Sequence, residues 1–146
     1  MKFIRSEKGA AAVEAAIIMM LLLTLIFGII ETGLLLFDQQ MLTNASREGA
    51  RAGVVVGLGR SGGAAAEYLA ESANVAWNFC SAHLVSFGAQ NLNVTASLLT
   101  DVDGSGGPSR GDDLRVSLSY DYNFLVLSAL GIGPVTLNAV SIMKLE

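Results

Sequence analysis

The chain has 146 residues, of which 52% are apolar and 15% charged, and its mean hydropathy of +0.53 is high for a protein living wholly in water. That length carries one domain plus an appendage, which argues against a multidomain enzyme, and the apolar content excludes a disordered chain. Nine Lys+Arg against thirteen Asp+Glu give a net charge of −4, so no nucleic-acid partner is expected, and the single cysteine, Cys80, cannot close an internal disulfide.

From Ala15 to Ile30 run sixteen uncharged residues, AAIIMMLLLTLIFGII, extending back to Ala10 across Glu14 and on to Phe37 across Glu31. A bilayer is crossed by about 20 residues at about 1.5 Å each, so residues 10–37 are expected to form one transmembrane helix. Lys2, Arg5 and Lys8 precede it against one acid, Glu7. The positive-inside tendency then keeps the N-terminus cytoplasmic and leaves residues 38–146 extracytoplasmic. The run outlasts the apolar core of about 7–15 residues found in a removable secretory signal. Glu14 needs a reason to be there, since an ionised carboxylate costs about 2.5–3.5 kcal/mol at mid-bilayer. Two readings stand. Glu14 snorkels to the headgroups, favoured by the positive end of the helix dipole, or the chain is cut after Gly9 and the new amine of Ala10, one turn away, pairs with it.

The next stretch, DQQMLTNASREGARAGVVVG, lacks proline and offers a polar face of Asp38, Gln39, Arg47, Glu48 and Arg51, so the helix is expected to run on to about Gly57. Ala45, Gly49, Gly53 and Gly57 fall every fourth residue, a small-residue ridge that admits another backbone, from its own domain or from a neighbour's helix. Gly57 to Gly63 (GLGRSGG) reads as a turn or hinge; with no strand before it and no Gly-Lys-Ser/Thr after it, it is no phosphate loop. Ala64 to about His83 predicts a second helix with Tyr68, Leu69, Ala73, Ala76 and Trp77 on its apolar side, and Trp77 and Phe79 are expected in the core. Cys80 and His83 lie one turn apart, but a closed zinc site needs four ligands, and a nucleophile pair needs a third, orienting group; Cys80 reads as a small buried apolar residue.

Alternation of Leu92, Val94, Ala96 and Leu98, of Leu114, Val116, Leu118, Tyr120 and Tyr122, and again from Val135 to Leu145 predicts three strands, the first two joined as a hairpin. Within the hairpin loop, Asp101, Asp103, Ser105, Gly106 and Asp112 occupy positions 1, 3, 5, 6 and 12 of a calcium-loop pattern. Against calcium stand the Asp at position 12, the inner Pro108 and the flanking strands; the other reading is an ordinary solvated loop. Asn123 to Ile132 is an apolar connection that packs over the sheet or meets a partner. The fold class expected is α+β: a long N-terminal transmembrane helix continuing into a small domain with a second helix and an antiparallel sheet of at least three strands.

Lys8-Gly9 followed by Ala-Ala-Ala-Val-Glu resembles a prepilin leader, with glycine at the cut and Glu14 as fifth residue of the mature chain. The segment Gly28 to Gly33 (Gly-Ile-Ile-Glu-x-Gly), the segment Asn44 to Arg51 (Asn-x-x-Arg-Glu-Gly-Ala-Arg) and the C-terminal VTLNAVSIMKLE extend the likeness, which is to the TadE-like pseudopilins of the tight-adherence (Flp-type) pilus system. The resemblance implies a pilin-like fold and a basic leader at 1–9, trimmed between Gly9 and Ala10 by a prepilin peptidase. It also implies an inner-membrane anchor and a role as minor pseudopilin or assembly factor alongside pilin subunits and inner-membrane assembly proteins. Loss of the leader removes three of the nine basic residues and one of the thirteen acids, leaving net −6. No cofactor is expected, calcium at the hairpin loop being the one candidate. An enzyme would need convergent polar groups that one His, one Cys and a loop of acids do not supply. The alternative reading is an uncleaved, signal-anchored surface domain acting as a calcium-binding adhesin or sensor.

Overall fold

A computed structural model describes residues 7–59, 65–86, 91–102, 104 and 109–146. Helix α1 (Glu7–Gly59) is followed by α2 (Ala65–His83), β1 (Leu92–Leu98), β2 (Asp113–Tyr122), a 3-10 turn (Leu127–Leu130) and β3 (Val135–Lys144). The strands form one antiparallel sheet in the order β1-β2-β3. This is the α+β architecture expected, with a long apolar N-terminal helix, a second helix and three strands.

Helix α1 has 53 residues, about 80 Å at 1.5 Å per residue, and it runs unbroken because both prolines, Pro108 and Pro134, lie elsewhere. Its first half is bare: between Gly9 and Ile30 only Thr24 and Gly28 are even partly covered. The hydroxyl of Thr24 donates to the Met20 carbonyl (2.9 Å) and that of Thr32 to the Gly28 carbonyl (2.8 Å), which lets polar side chains ride an apolar helix without unpaired groups. From Glu31 upward a buried stripe appears, through Asp38, Leu42, Ala45, Ser46, Gly49, Ala50, Gly53 and Gly57, at the three- and four-residue spacing of one helix face. The helix continues through Gly59, two residues past the expected stop; Arg60 to Gly63, the rest of the expected hinge, lie outside the described residues.

The stripe meets α2 and the sheet. Gly49 lies so close to α2 that an added Cβ would sit 2.8 Å from both the Ala76 Cβ and the Ser72 carbonyl oxygen, and one on Gly53 would sit 2.5 Å from the Leu114 Cδ2. The Ser72 hydroxyl crosses the helix pair to the Gly49 carbonyl at 2.7 Å. The ridge at Gly49 and Gly53 is thus occupied from within the domain. The inner face of α2 is Tyr68, Ser72, Ala76 and Cys80, every fourth residue, all buried. Trp77 corrects an expectation: one residue past Ala76 it is turned about 100° off that face and is 50% exposed. Phe79 is half-buried against the core and stacks on His83 at 4.5 Å between ring centres.

In the sheet the strict alternation of β2 buries Leu114, Val116, Leu118, Tyr120 and Tyr122 on the helix side. Their cross-strand partners carry the same face outward to both edges, Val94 beside Leu118 on β1, Ala139 beside Leu118 and Leu137 beside Tyr120 on β3. The opposite face is largely polar, with Thr95 and Ser117 hydroxyls 2.7 Å apart and Thr136 donating to Asp121 at 2.8 Å. Strand β2 runs antiparallel to α1, with Leu114 at the level of Gly53 and the Tyr122 hydroxyl reaching the Glu31 carbonyl at 3.5 Å. The β1–β2 hairpin loop is therefore at the top of the domain and the β2–β3 connection at its foot.

Gly49→Ala and Gly33→Ala separate packing from helix propensity. Both gain about 1 kcal/mol of propensity, and nothing lies within 4 Å of a Cβ on Gly33, so Gly33→Ala should melt at or above the parent temperature in detergent. Overpacking at Gly49 costs about 1–3 kcal/mol, so that variant should lose up to about 2 kcal/mol. Equal stabilisation by both would refute the close helix contact.

Candidate functional site

The bare lower helix carries the residues singled out for processing. Gly9, Ala10 and Glu14 are all helical and exposed, and Ala10 precedes Glu14 by four residues, one turn. A Cβ on Gly9 would meet nothing within 4 Å. The exposed lower stretch of α1, from Ala10 to Ile30, has 21 residues, about 31 Å at 1.5 Å per residue, close to the hydrocarbon thickness of about 30 Å. It is one N-terminal helix long and apolar enough to span a membrane, as a single-pass protein requires.

Glu31, the first residue above that length, is 3% exposed. Its carboxylate is spent on the β2–β3 connection: Oε1 accepts the amide hydrogens of Leu125 and Val126 (3.2 Å for Val126), and Oε2 that of Leu127 at 3.0 Å. These amides stand at the start of the 3-10 turn, where no carbonyl of the turn can accept them. A carboxylate met in the sequence as a charge to be tolerated inside an apolar run is in fact a latch across more than ninety residues of chain.

About two turns above, Asp38 corrects a second expectation. It belongs to no polar face: it is wholly buried, its Oδ1 accepting the Val85 amide at 3.0 Å just beyond α2. Its Oδ2 has no hydrogen-bond partner among the described residues, and burial raises its pKa above the ordinary 3.8, the Val85 bond pulling the other way. The same surroundings make Cys80 inert, since burial, helped by the Asp38 charge, pushes its thiol up to about 11. His83 spends Nδ1 on the Phe79 carbonyl at 2.8 Å. Both latch and core carboxylates sit on the stripe that also holds Leu42 and Ala45; the seven-residue interval from Glu31 to Asp38, continued to Ala45, is the sequence signal that could have placed them inward.

At the top loop Asp112 is buried and its carboxylate gathers the chain around it. Oδ1 accepts the Val102 amide (2.8 Å), and Oδ2 accepts the Ser109 amide (2.8 Å) and hydroxyl (2.9 Å). Asp101 lies exposed at the loop's start, while Asp103 and Ser105 lie outside the described residues. Among the described residues no group of three or more His, Cys, Asp or Glu stands together as a metal site would require. The small-residue positions Ala45, Gly49, Gly53 and Gly57 are all buried, and the geometry assigns Gly49 and Gly53 to holding α2 and β2.

Residues 9–51 match the model of the TadE-like protein family. The match runs from Gly9 through the membrane-length helix and the Glu31 latch to Arg51, so over this stretch the chain is similar to TadE-like proteins. The C-terminal likeness, at Val135 to Glu146, lies outside the matched residues. No curated protein and no solved structure matches the chain. The TadE-like sequence suggests involvement in the tight-adherence pilus.

Two variants test the buried carboxylates. Glu31→Ala should leave three amides without acceptors, at about 1–3 kcal/mol each where they stay dry, and speed hydrogen exchange at Leu125 to Leu127 by about a hundredfold or more; unchanged exchange there would dissolve the latch. Asp38 holds its proton more tightly when folded, so its contribution is greatest below pH 3.8 and is lost as pH rises through its raised folded pKa. Asp38→Asn should therefore match or exceed the parent by about 1 kcal/mol at pH 7 and flatten the fall in stability between acid and neutral pH, read by near-ultraviolet dichroism in detergent. A lower stability at pH 7 with the slope retained would contradict this.

Proposed function

We propose that the protein is a minor pseudopilin or assembly factor of a tight-adherence pilus, anchored in the inner membrane by α1 with its N-terminus cytoplasmic and its folded domain outside. The observation that carries this reading is the family match over residues 9–51, laid on a helix whose first 21 matched residues after Gly9 are exposed except for the partly covered Thr24 and Gly28. A bare apolar helix of bilayer length is what lateral assembly through a membrane stem requires.

On this reading a prepilin peptidase cuts between Gly9 and Ala10. Glycine suits the site because it weakens the helix at the bond to be opened and presents no side chain to the enzyme. The cut frees an α-amino group at Ala10, and Glu14, one turn on, neutralises it within its own chain or across to a neighbouring subunit. Sharing charge in this way lowers the cost of holding either group near lipid. The mature domain is acidic, which suits neither nucleic acid nor phosphate-rich ligands. The partners are the peptidase, other pilin or pseudopilin subunits, inner-membrane assembly proteins and lipid. The role involves no turnover and no cofactor.

The test is the intact mass of membrane-extracted protein co-expressed with a prepilin peptidase. The parent should begin at Ala10 and Gly9→Leu should keep its leader, while Glu14→Gln should be cut or left uncut without loss of the folded domain, since Glu14 touches none of it. Parent and Gly9→Leu both remaining full length beside an active peptidase would overturn the cleavage.

A further inference from the structure

The two loops at the ends of the sheet are built from opposite chemistry. The upper one, from Asp101 to Asp113, holds four aspartates and an arginine, whereas the lower connection, from Asn123 to Pro134, holds no charged residue at all. Yet the lower connection is not buried: Leu125 is 59%, Leu130 58% and Ile132 46% exposed. Loops on a water-facing surface are normally polar, and a contiguous apolar patch held outward marks a contact.

Its position says with what. The Glu31 latch fixes this connection against α1 at the residue where the bare, membrane-length stretch ends, and Leu125 and Val126 share an apolar seam with Phe27, Ile30 and Leu34 of the helix. The exposed leucines thus continue the lipid-facing surface of α1 sideways. The backbone is prepared for a dry setting. Leu125, Val126 and Leu127 donate to Glu31; Ala129 donates to Val126 (3.1 Å), Gly131 to Ser128 (3.0 Å) and Ile132 to Leu127 (3.2 Å). Gly131, at φ 85°, makes the left-handed turn that closes this ring of bonds. An irregular segment can enter the low-dielectric edge of a bilayer only when its amides are satisfied internally.

We infer that the β2–β3 connection is a membrane foot: Leu125, Leu130 and Ile132 insert into the headgroup–acyl boundary of the outer leaflet beside α1 and set the height of the domain above the bilayer. With no charge in the loop, insertion is indifferent to headgroup charge. The inference rests on residues 10–30 spanning the membrane.

Leu130→Cys, Ile132→Cys, Leu22→Cys and Val102→Cys, each in a Cys80→Ala background, test it when labelled with a nitrobenzoxadiazole fluorophore and reconstituted as full chain in phosphatidylcholine vesicles, with and without phosphatidylglycerol. The expected result is quenching of positions 130 and 132 by lipids spin-labelled near the headgroup, with iodide quenching about fivefold or more below that at Val102, in both lipid mixtures. Position 22 should be quenched by lipids labelled deep in the chain. Lipid quenching at 22 with full iodide access at 130 and 132 would overturn the foot alone; failure at 22 would overturn the spanning helix. Shielding of 130 and 132 from iodide without lipid quenching, rising with protein density, would assign the patch to a second copy and also overturn the foot. Adding Glu31→Ala should return both labels to iodide while leaving position 22 unchanged.

Discussion

One unbroken helix carries two different surfaces, a lower half apolar enough to span a membrane and an upper half covered by the domain. Below Glu31, α1 offers apolar side chains all round and keeps them; above it, the same helix narrows to a stripe that the domain covers. Glu31 stands at the change and is the only residue of the apolar run whose charge is consumed by the fold, through the amides of Leu125, Val126 and Leu127. Because those amides belong to a connection pinned between β2 and β3, the carboxylate sets the register of the whole sheet along the helix axis. A slip of one turn would move every contact by about 5.4 Å and strand the carboxylate without donors.

The upper half of the helix is held by closeness and not by bulk. Gly49 and Gly53 let α2 and Leu114 approach to distances a methyl group would forbid, and the Ser72 hydroxyl ties the two helices at the Gly49 carbonyl. The weakness that glycine brings to a helix, about 1 kcal/mol each, is offset by contacts available only to it. The core so formed still contains an unbalanced group, Asp38, with one oxygen bonded and the other without a hydrogen-bond partner among the described residues. A buried carboxyl of that kind does not add stability at neutral pH, but its bond to Val85 ties the residues just beyond α2 to α1.

The domain has a top and a bottom in the chemical sense. Its upper loop is organised by Asp112 and carries charge into water, and its lower connection is uncharged and lies against the point where α1 becomes bare. On the proposed reading, a subunit anchored by α1 would be oriented relative to the bilayer by its own fold. This polarity suits a protein whose proposed work is to present one helix to its neighbours in the membrane and one small acidic domain beyond it. Nothing in that role calls on Cys80, whose thiol burial holds protonated, or on His83, which is engaged within its own helix.

Local pattern was enough for the elements: an unbroken proline-free apolar run made α1 legible to near Gly57, and period-two alternation made all three strands legible, with the inward residues of β2 correctly named from Leu114 to Tyr122. Motif resemblance made the TadE-like stretch legible from Gly9 to Arg51. Trp77 misled because size and apolarity do not say which side of a short helix faces inward, and the neighbouring Ala76 and Cys80 took that side by fitting closely. Asp38 misled for the converse reason, that a charged residue reads as solvent-facing until its partners are known, and Glu31, read as a charge tolerated within the apolar run, gave no sign of its role. Those partners, the amides of Leu125 to Leu127 and of Val85, lie 47 to 96 residues away, and backbone amides leave no mark in the identity of the residues that carry them. The sequence by itself therefore determined which segments are helix and strand and which helix is long and apolar enough to span a membrane, since these follow from periodicity and apolar length; only the tertiary structure decided where that helix becomes covered and which carboxylates are buried, since that depends on donors brought together by the fold.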